Sequence, residues 1–246
     1  MVLVKKSNLP ETDIALAAVS KTAQGIKAYL KEHGIAVVEI EPSSIIRDGT
    51  AAHADLHILH LGGERLILSC EQQGRAMFLS SLGFSVEVLS SPLGSDYPND
   101  VPLNAAVMGL SVILNPKTVT TLADFSDFTA IHVRQGYAKC SVTPVDEHSL
   151  ITDDSAIAEK AAANGFDVLL VSKGDVRLPG REYGFIGGCC GLVAPDKMLF
   201  NGSLTAHRDG ERIEEFLSAH GIACICVGEY PLTDIGGILP LAEKER

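Results

Sequence analysis

The sequence predicts an α/β fold: a five-fold pseudosymmetric propeller of strand-strand-helix-strand units around a central channel, closed by the two termini. Three observations predict it. The tetrapeptide His33-Gly34-Ile35-Ala36 returns as His220-Gly221-Ile222-Ala223, with weaker copies at Gly83-Phe84-Ser85-Val86 and Gly165-Phe166-Asp167-Val168. Upstream of these glycines an apolar face recurs at helical spacing, and downstream runs a short β-rich segment. Ahead of the helices lie pairs of short apolar runs joined by tight polar turns, the pattern of a hairpin. One supersecondary unit is therefore used repeatedly.

The elements follow in order. The first helix carries Ile26, Tyr29 and Leu30 on one face, ends at Gly34 and leads into Ala36-Val37-Val38. A hairpin of residues 56–61 and 66–68 around Gly62-Gly63 precedes the helix bearing Phe78 and Leu79, then Val86-Glu87-Val88. The interval from Gly83 to Gly165 is long enough for two units. One is a hairpin of residues 105–108 and 112–114 around Gly109, a shorter helix and Ala130-Ile131-His132-Val133; the other runs from Ser141-Val142 and Leu150-Ile151 through a helix with Ile157 and Ala161. The last hairpin joins Leu192-Val193 to Met198-Leu199-Phe200, before a helix with Ile213, Phe216 and Leu217 and the strand around Cys224 and Cys226. Each repeated glycine stands where a helix C-cap needs a left-handed residue. Asp153-Asp154 and Asp209 are expected to cap the helices that follow them, and His33 and His220 to complement helix C-terminal dipoles. The N-terminal helix and strand lack a leading hairpin, while residues 234–239 lack a helix, so the two ends complete one unit and leave no open edge.

Composition bounds the rest. A chain of 246 residues can bury one large core, so residues 1–246 are read as a single domain. A formal net charge of −11 disfavours nucleic acid and anionic membrane surfaces as partners. Residues 1–6 lack a signal pattern and no apolar stretch reaches the roughly 20 residues that span a bilayer, so a cytoplasmic protein is expected. Six cysteines are too sparse for a disulfide scaffold and are read as free thiols. Residues 90–102 and 173–188, rich in Gly, Pro and Asp, are loops over a site or plain connectors.

The segments Tyr97-Pro98-Asn99-Asp100-Val101-Pro102-Leu103-Asn104, Gly136-Tyr137-Ala138-Lys139-Cys140-Ser141, Gly184-Phe185-Ile186-Gly187-Gly188 and Asp234-Ile235-Gly236-Gly237-Ile238, within five such units, resemble a branch of the pentein superfamily, the guanidino-group-modifying enzymes. The resemblance covers nearly the whole chain. It implies attack by a cysteine thiolate on a guanidinium or amidinium carbon, a histidine acid/base, and carboxylates that hold the cation. In well-known members that cysteine lies in the closing C-terminal segment beside glycines. Here no cysteine follows Cys226.

In this architecture the start of each leading strand meets the others at one mouth of the channel. The residues placed there are Asp55 and His57, then Asn99, Asp100 and Asn104, then Lys139 and Cys140, then Cys189 and Cys190, and Asp234. Asp55 and His57 share a face if they lie on one strand. Cys140, near Lys139 and Arg134 in sequence, is the candidate nucleophile, because positive charge stabilises thiolate. His57 is the candidate acid/base, and Asp55, Asn99, Asp100, Asn104, Lys139 and Asp234 are candidate substrate-binding residues. Cys189-Cys190 reads as small residues chosen for close packing, and Cys224 and Cys226 as core. His53, His57 and His60 invite a metal, but on one strand His57 and His60 point to opposite faces; no metal and no cofactor is expected. Gly187-Gly188-x-x-Gly191 precedes a strand rather than a helix, against a nucleotide cradle. Two functions follow: a cysteine-dependent hydrolase or transferase acting on a small guanidino or amidino compound, or a non-catalytic member of the fold binding a small, cationic ligand or a protein. Homo-oligomerisation stays open.

Overall fold

The computed structural model describes residues 1–46 and 49–245. Chain order begins with β1 (Val2–Leu3), β2 (Ile14–Ser20), α1 (Gln24–Glu32) and β3 (Ala36–Ile40), then α2 (Ala54–His57), β4 (Ile58–Gly62), β5 (Arg65–Leu68), α3 (Ala76–Ser81) and β6 (Ser85–Val88). Next come β7 (Ala106–Met108), β8 (Ser111–Leu114), β9 (Thr129–His132), β10 (Val142–Pro144), β11 (Ser149–Thr152), α4 (Ser155–Ala163) and β12 (Asp167–Leu170). The chain closes with β13 (Cys190–Ala194), β14 (Lys197–Ser203), α5 (Gly210–Ala219), β15 (Ala223–Pro231) and β16 (Leu239–Glu243).

These strands form five separate small sheets. In β4-β5-β6, β7-β8-β9, β10-β11-β12 and β13-β14-β15 the first strand runs antiparallel to the second and the second parallel to the third. A parallel pair needs a crossover, and α3, α4 and α5 supply three of them. The remaining sheet, in the order β1-β16-β2-β3, joins the two ends of the chain: β16 is antiparallel to β2, and β2 is parallel to β3 across α1.

The sequence repeat has a concrete cause. Gly34 and Gly221 adopt φ of 71° and 73°, and the residue after each returns its N–H to the helix, Ile35 to the Leu30 carbonyl at 2.9 Å and Ile222 to the Leu217 carbonyl at 2.8 Å. This is a Schellman closure, in which the residue beyond the glycine packs back on the last turn. Phe84 and Phe166 do the same on Leu79 and Ala161. Each of these four apolar residues is buried with its partner in the core.

The structure departs from the sequence reading in several places. No helix forms among residues 115–128: the Asn115 side chain accepts from Lys117 N, its carbonyl accepts from Thr118 N and Val119 N, and Asp124 accepts from Ser126 N. Such local bonds compete with a helical ladder. Asp55 and His57 lie in the helical turn α2, not on the strand, so they share no strand face. Asp154 caps α4 through Ala156 N and Ile157 N, whereas Asp153 turns away to Ile186 N. Asp209 stands at the start of α5 without capping it, because its carboxylate is taken by Ser172 N and Arg212. His33 does bond the Tyr29 carbonyl in the last turn of α1, but His220 pairs with Asp146 and Asp167. Cys226 is exposed and Cys224 half-buried, since the third strand of each sheet is its outer edge. No helix among the described residues is long and apolar enough to cross a membrane.

Leu16 in β2 and Leu241 in β16 are buried in one cluster although they come from opposite ends of the chain. Leu241→Ala and Leu16→Ala should each cost about 2–5 kcal/mol, read as a lower urea midpoint at unchanged slope, and the double variant should lose less than the sum. A near-zero cost for Leu241→Ala would mean that the C-terminal strand is not part of the core.

Candidate active site

A cavity of about 230 Å³ opens beside the segments that precede β4, β10 and β16. Cys140, His53 and Asp234 border it together with Tyr137 and Phe185, and Thr50, Arg181, Glu182 and Tyr183 also line it. Three distant parts of the sequence thus supply a thiol, an imidazole and a carboxylate to one space.

Cys140 sits in a tight turn rather than on a strand, with Ser141 N bonded to the Tyr137 carbonyl and Val142 N to the Lys139 carbonyl. In that turn Lys139 points away from Cys140, its Nζ 3.4 Å from the Gly187 carbonyl, and its charge reaches the Cys190 sulfur instead. Burial pushes the Cys140 thiol well above its usual range, and the Asp55 and Asp234 carboxylates push it further. The thiol is therefore protonated at neutral pH.

Asp234 is fixed by backbone. Its carboxylate accepts from Phe185 N at 2.9 Å and Gly236 N at 3.0 Å and faces His53 Nδ1 at 3.4 Å. This close approach demands glycine: a Cβ on Gly188 would collide with the Asp234 carboxylate, and one on Gly236 with the His53 backbone. Burial raises the Asp234 pKa, against the opposing pull of His53. Nδ1 is thus the ring nitrogen turned to the carboxylate, and Nε2 has no hydrogen-bond partner among the described residues. Asp55 is buried, neither of its carboxylate oxygens meets a nitrogen or hydroxyl donor among the described residues, and its interaction is with the Cys140 thiol.

An aromatic wall completes the cavity. Tyr137 stacks on Phe185 with centroids 5.8 Å apart, and Tyr183 meets Phe185 edge-on at 6.3 Å. The Tyr137 hydroxyl donates to Asp100 at 2.5 Å, and burial with that carboxylate pushes the phenol pKa up, so Tyr137 stays protonated. Asp153 supports the wall from behind by accepting from Ile186 N at 3.2 Å; burial raises its carboxyl to about 7.

Of the residues singled out in the sequence, Cys140 and Asp234 border the cavity, and Asp55 and Asn104 lie against the thiol. Asp100 stands behind Tyr137. His57 does not reach the site: its Nδ1 meets Ser69 Oγ at 2.7 Å and its Nε2 the Ala51 carbonyl at 2.9 Å, inside the fold. Asn99 is exposed in the turn where its own carbonyl accepts from Gly94 N, and Cys189 and Cys190 are buried around the Ile186 carbonyl. His53 is the residue that sequence reasoning passed over, since its partner Asp234 is remote in sequence. No signal in the sequence pairs the two; the structure does so where Gly236 crosses the His53 backbone.

A family model, DUF6873, described as a family of unknown function, matches residues 18–239. The chain belongs to DUF6873. No curated protein sequence matches this DUF6873 chain. Among solved structures it resembles SxtG, an amidinotransferase from Microseira wollei in the saxitoxin biosynthetic pathway, at 8% identity and TM-score 0.63 over 99% of this chain and 98% of that one. It also resembles the C. jejuni agmatine deiminase, at 10% identity and TM-score 0.55 over 90% of each chain. DDAH from Pseudomonas aeruginosa, complexed with citrulline, matches at 8% identity and TM-score 0.52 over 88% of this chain and 92% of that one. These are penteins, and the DUF6873 chain shares their fold.

Two outcomes check the electrostatics. Asp55→Asn removes a negative charge beside Sγ, so the Cys140 thiol pKa should fall and its alkylation by iodoacetamide at fixed pH should accelerate severalfold; an unchanged rate contradicts the assigned cause. Asp153 has a folded pKa above its unfolded value of 3.8, so stability from its protonated form is present at low pH and lost as pH rises to about 7. Asp153→Asn, which keeps an acceptor for Ile186 N, should flatten the decline of melting temperature across that window.

Proposed function

We propose that this chain is a cysteine-dependent enzyme acting on a small guanidino or amidino compound, as a hydrolase or an amidinotransferase. One observation carries the reading: Cys140, His53 and Asp234 border the same cavity, with the carboxylate of Asp55 beside the thiol. On this reading Cys140 is the nucleophile, His53 replaces His57 as acid/base, and Asp234 and Asp55 hold the cation. The five sheets circle one channel within a single domain, which brings the segments preceding β4, β10 and β16 to its mouth.

The chemistry follows from the electrostatics. A planar cation entering the cavity offsets the two carboxylates that hold the thiol pKa up, so the thiol proton can pass to His53 Nε2. The aromatic faces of Tyr137 and Phe185 favour the same cation. The thiolate then attacks the central carbon to form a C–S bond. The C–N bond to the departing amine breaks as that amine takes the proton from His53. Water, or an acceptor amine, adds to the resulting thiouronium carbon as His53 accepts its proton, and the sulfur leaves as thiolate. Hydrolysis yields a ureido product and transfer yields a new guanidine.

The relatives in structure support this class, since their names include amidinotransferase and agmatine deiminase, and one carries citrulline. The raised Cys140 thiol pKa favours a second reading, a non-catalytic receptor for the same small cation. Incubation with agmatine, arginine and methylated arginines, with and without an acceptor amine, should release a ureido compound or a transferred guanidine, detected by mass spectrometry. His53→Ala should slow turnover by about 10²–10⁴ and Cys140→Ala should abolish it. Binding of these cations, seen as a raised melting temperature, without turnover in the native chain would replace the enzyme by the receptor. Turnover that survives Cys140→Ala would overturn the cysteine mechanism.

A further inference from the structure

Asn104 precedes β7, is 1% exposed and faces the Cys140 turn. Its Oδ1 accepts from Lys139 N at 2.8 Å and from Cys140 N at 3.3 Å. Its Nδ2 donates to the Asp55 carbonyl at 2.9 Å and lies 3.1 Å from Cys140 Sγ. This set of partners admits one amide orientation only. Turned over, the NH2 would confront two backbone N–H donors and the oxygen would confront a carbonyl. An amide nitrogen accepts no hydrogen bond, so the sulfur must be the acceptor of the second N–H.

We infer that Asn104 is a positioning residue that holds Cys140 by its backbone N–H and by its sulfur and stabilises its thiolate by an N–H···S hydrogen bond. The inference rests on the proposed nucleophilic role of Cys140 and adds a role the sequence did not assign, since Asn104 was expected to touch substrate. A donor aimed at sulfur is stronger toward the thiolate than toward the neutral thiol, so it favours the charged form. It works against Asp55 and Asp234, which disfavour that form. The same amide ties the Asp55 backbone to the Cys140 turn, which keeps carboxylate and sulfur in register.

The test is the pH dependence of Cys140 alkylation by iodoacetamide, followed by mass spectrometry of the Cys140 peptide in the native chain, Asn104→Asp and Asn104→Ala. Asn104→Asp keeps acceptors for Lys139 N and Cys140 N but removes the amide donor; Asn104→Ala removes the donor without adding charge. Both should move the log rate against pH toward higher pH, reflecting a thiol pKa raised by about one to two units. After allowance for the greater nucleophilicity of a more basic thiolate, alkylation at one pH below the thiol pKa should slow roughly 3- to 15-fold. A purely structural role gives the opposite sign, because a loosened turn exposes Cys140 and speeds its labelling at every pH. A variant profile that overlays the native one, or is faster throughout, overturns the assignment. If the profile shifts as expected and no guanidino compound is turned over, the enzymatic reading falls and the assignment of Asn104 stands. A Cys140 thiol inert at every pH in the folded native chain, and labelled only after unfolding, overturns both.

Discussion

The organising constraint of the site is negative charge held inside the protein beside a thiol. Burying an ionised carboxylate costs several kcal/mol unless donors or counter-charge replace its water. Asp234 has two backbone N–H donors and an imidazole at 3.4 Å, and those donors exist because Gly188 and Gly236 let backbone pass where any side chain would collide. Asp55 has no comparable set of donors among the described residues. The consequence falls on Cys140, whose thiol is held in its protonated form next to both. On the proposed reading a cationic ligand relieves that conflict, which arises because the segments ahead of β4 and β16 bring their carboxylates to the thiol.

How much of this was legible in the sequence depends on the range of each interaction. The repeated glycines were legible because a Schellman closure is local: Gly34 and Ile35 need only Leu30, a few residues away, and the same chemistry recurs at Gly221 and Ile222. The joined termini were legible because a missing hairpin at one end matched a missing helix at the other, and β16 does pair with β2. The helix expected within residues 115–128 failed because Asn115 and Asp124 offer the backbone closer partners than a helical ladder does. His57 failed for a related reason. The helical turn α2 starts at Ala54, two residues before the expected strand start at residue 56, and it turns His57 onto Ser69 and the Ala51 carbonyl.

Long-range electrostatic partners leave no local trace. Nothing near His53 indicates that it meets Asp234, because the contact depends on the C-terminal segment crossing the chain at Gly236, with Asp55 N bonded to the Gly236 carbonyl. Lys139 shows the converse error. Proximity in sequence suggested that it activates Cys140, yet adjacent residues of a tight turn diverge, and its ammonium lies against the Gly187 carbonyl. Asn104, from the preceding sheet, is the donor that actually reaches the sulfur.

The placement of Cys140 becomes intelligible from the repeated topology. The sheets repeat one strand order, so the residues just ahead of β4, β7, β10, β13 and β16 stand at the same point of their own sheets. Asp55 and His53 precede β4, Asn104 precedes β7, Cys140 precedes β10, Cys189 precedes β13 and Asp234 precedes β16. All but Cys189 gather around the cavity or the Cys140 sulfur; Cys189 instead donates its thiol proton to the Ile186 carbonyl beneath it. A closing segment that contributes Asp234 rather than a cysteine therefore needs no new backbone, only an exchange of side chains among equivalent places. On the proposed reading the exchange has a physical condition: a segment that supplies backbone donors holds the buried charge, and the thiol stands where an amide from the neighbouring sheet can meet its sulfur. The Asp234 loop, with N–H groups from Phe185 and Gly236, meets the first requirement, and the Cys140 turn, opposite Asn104, meets the second.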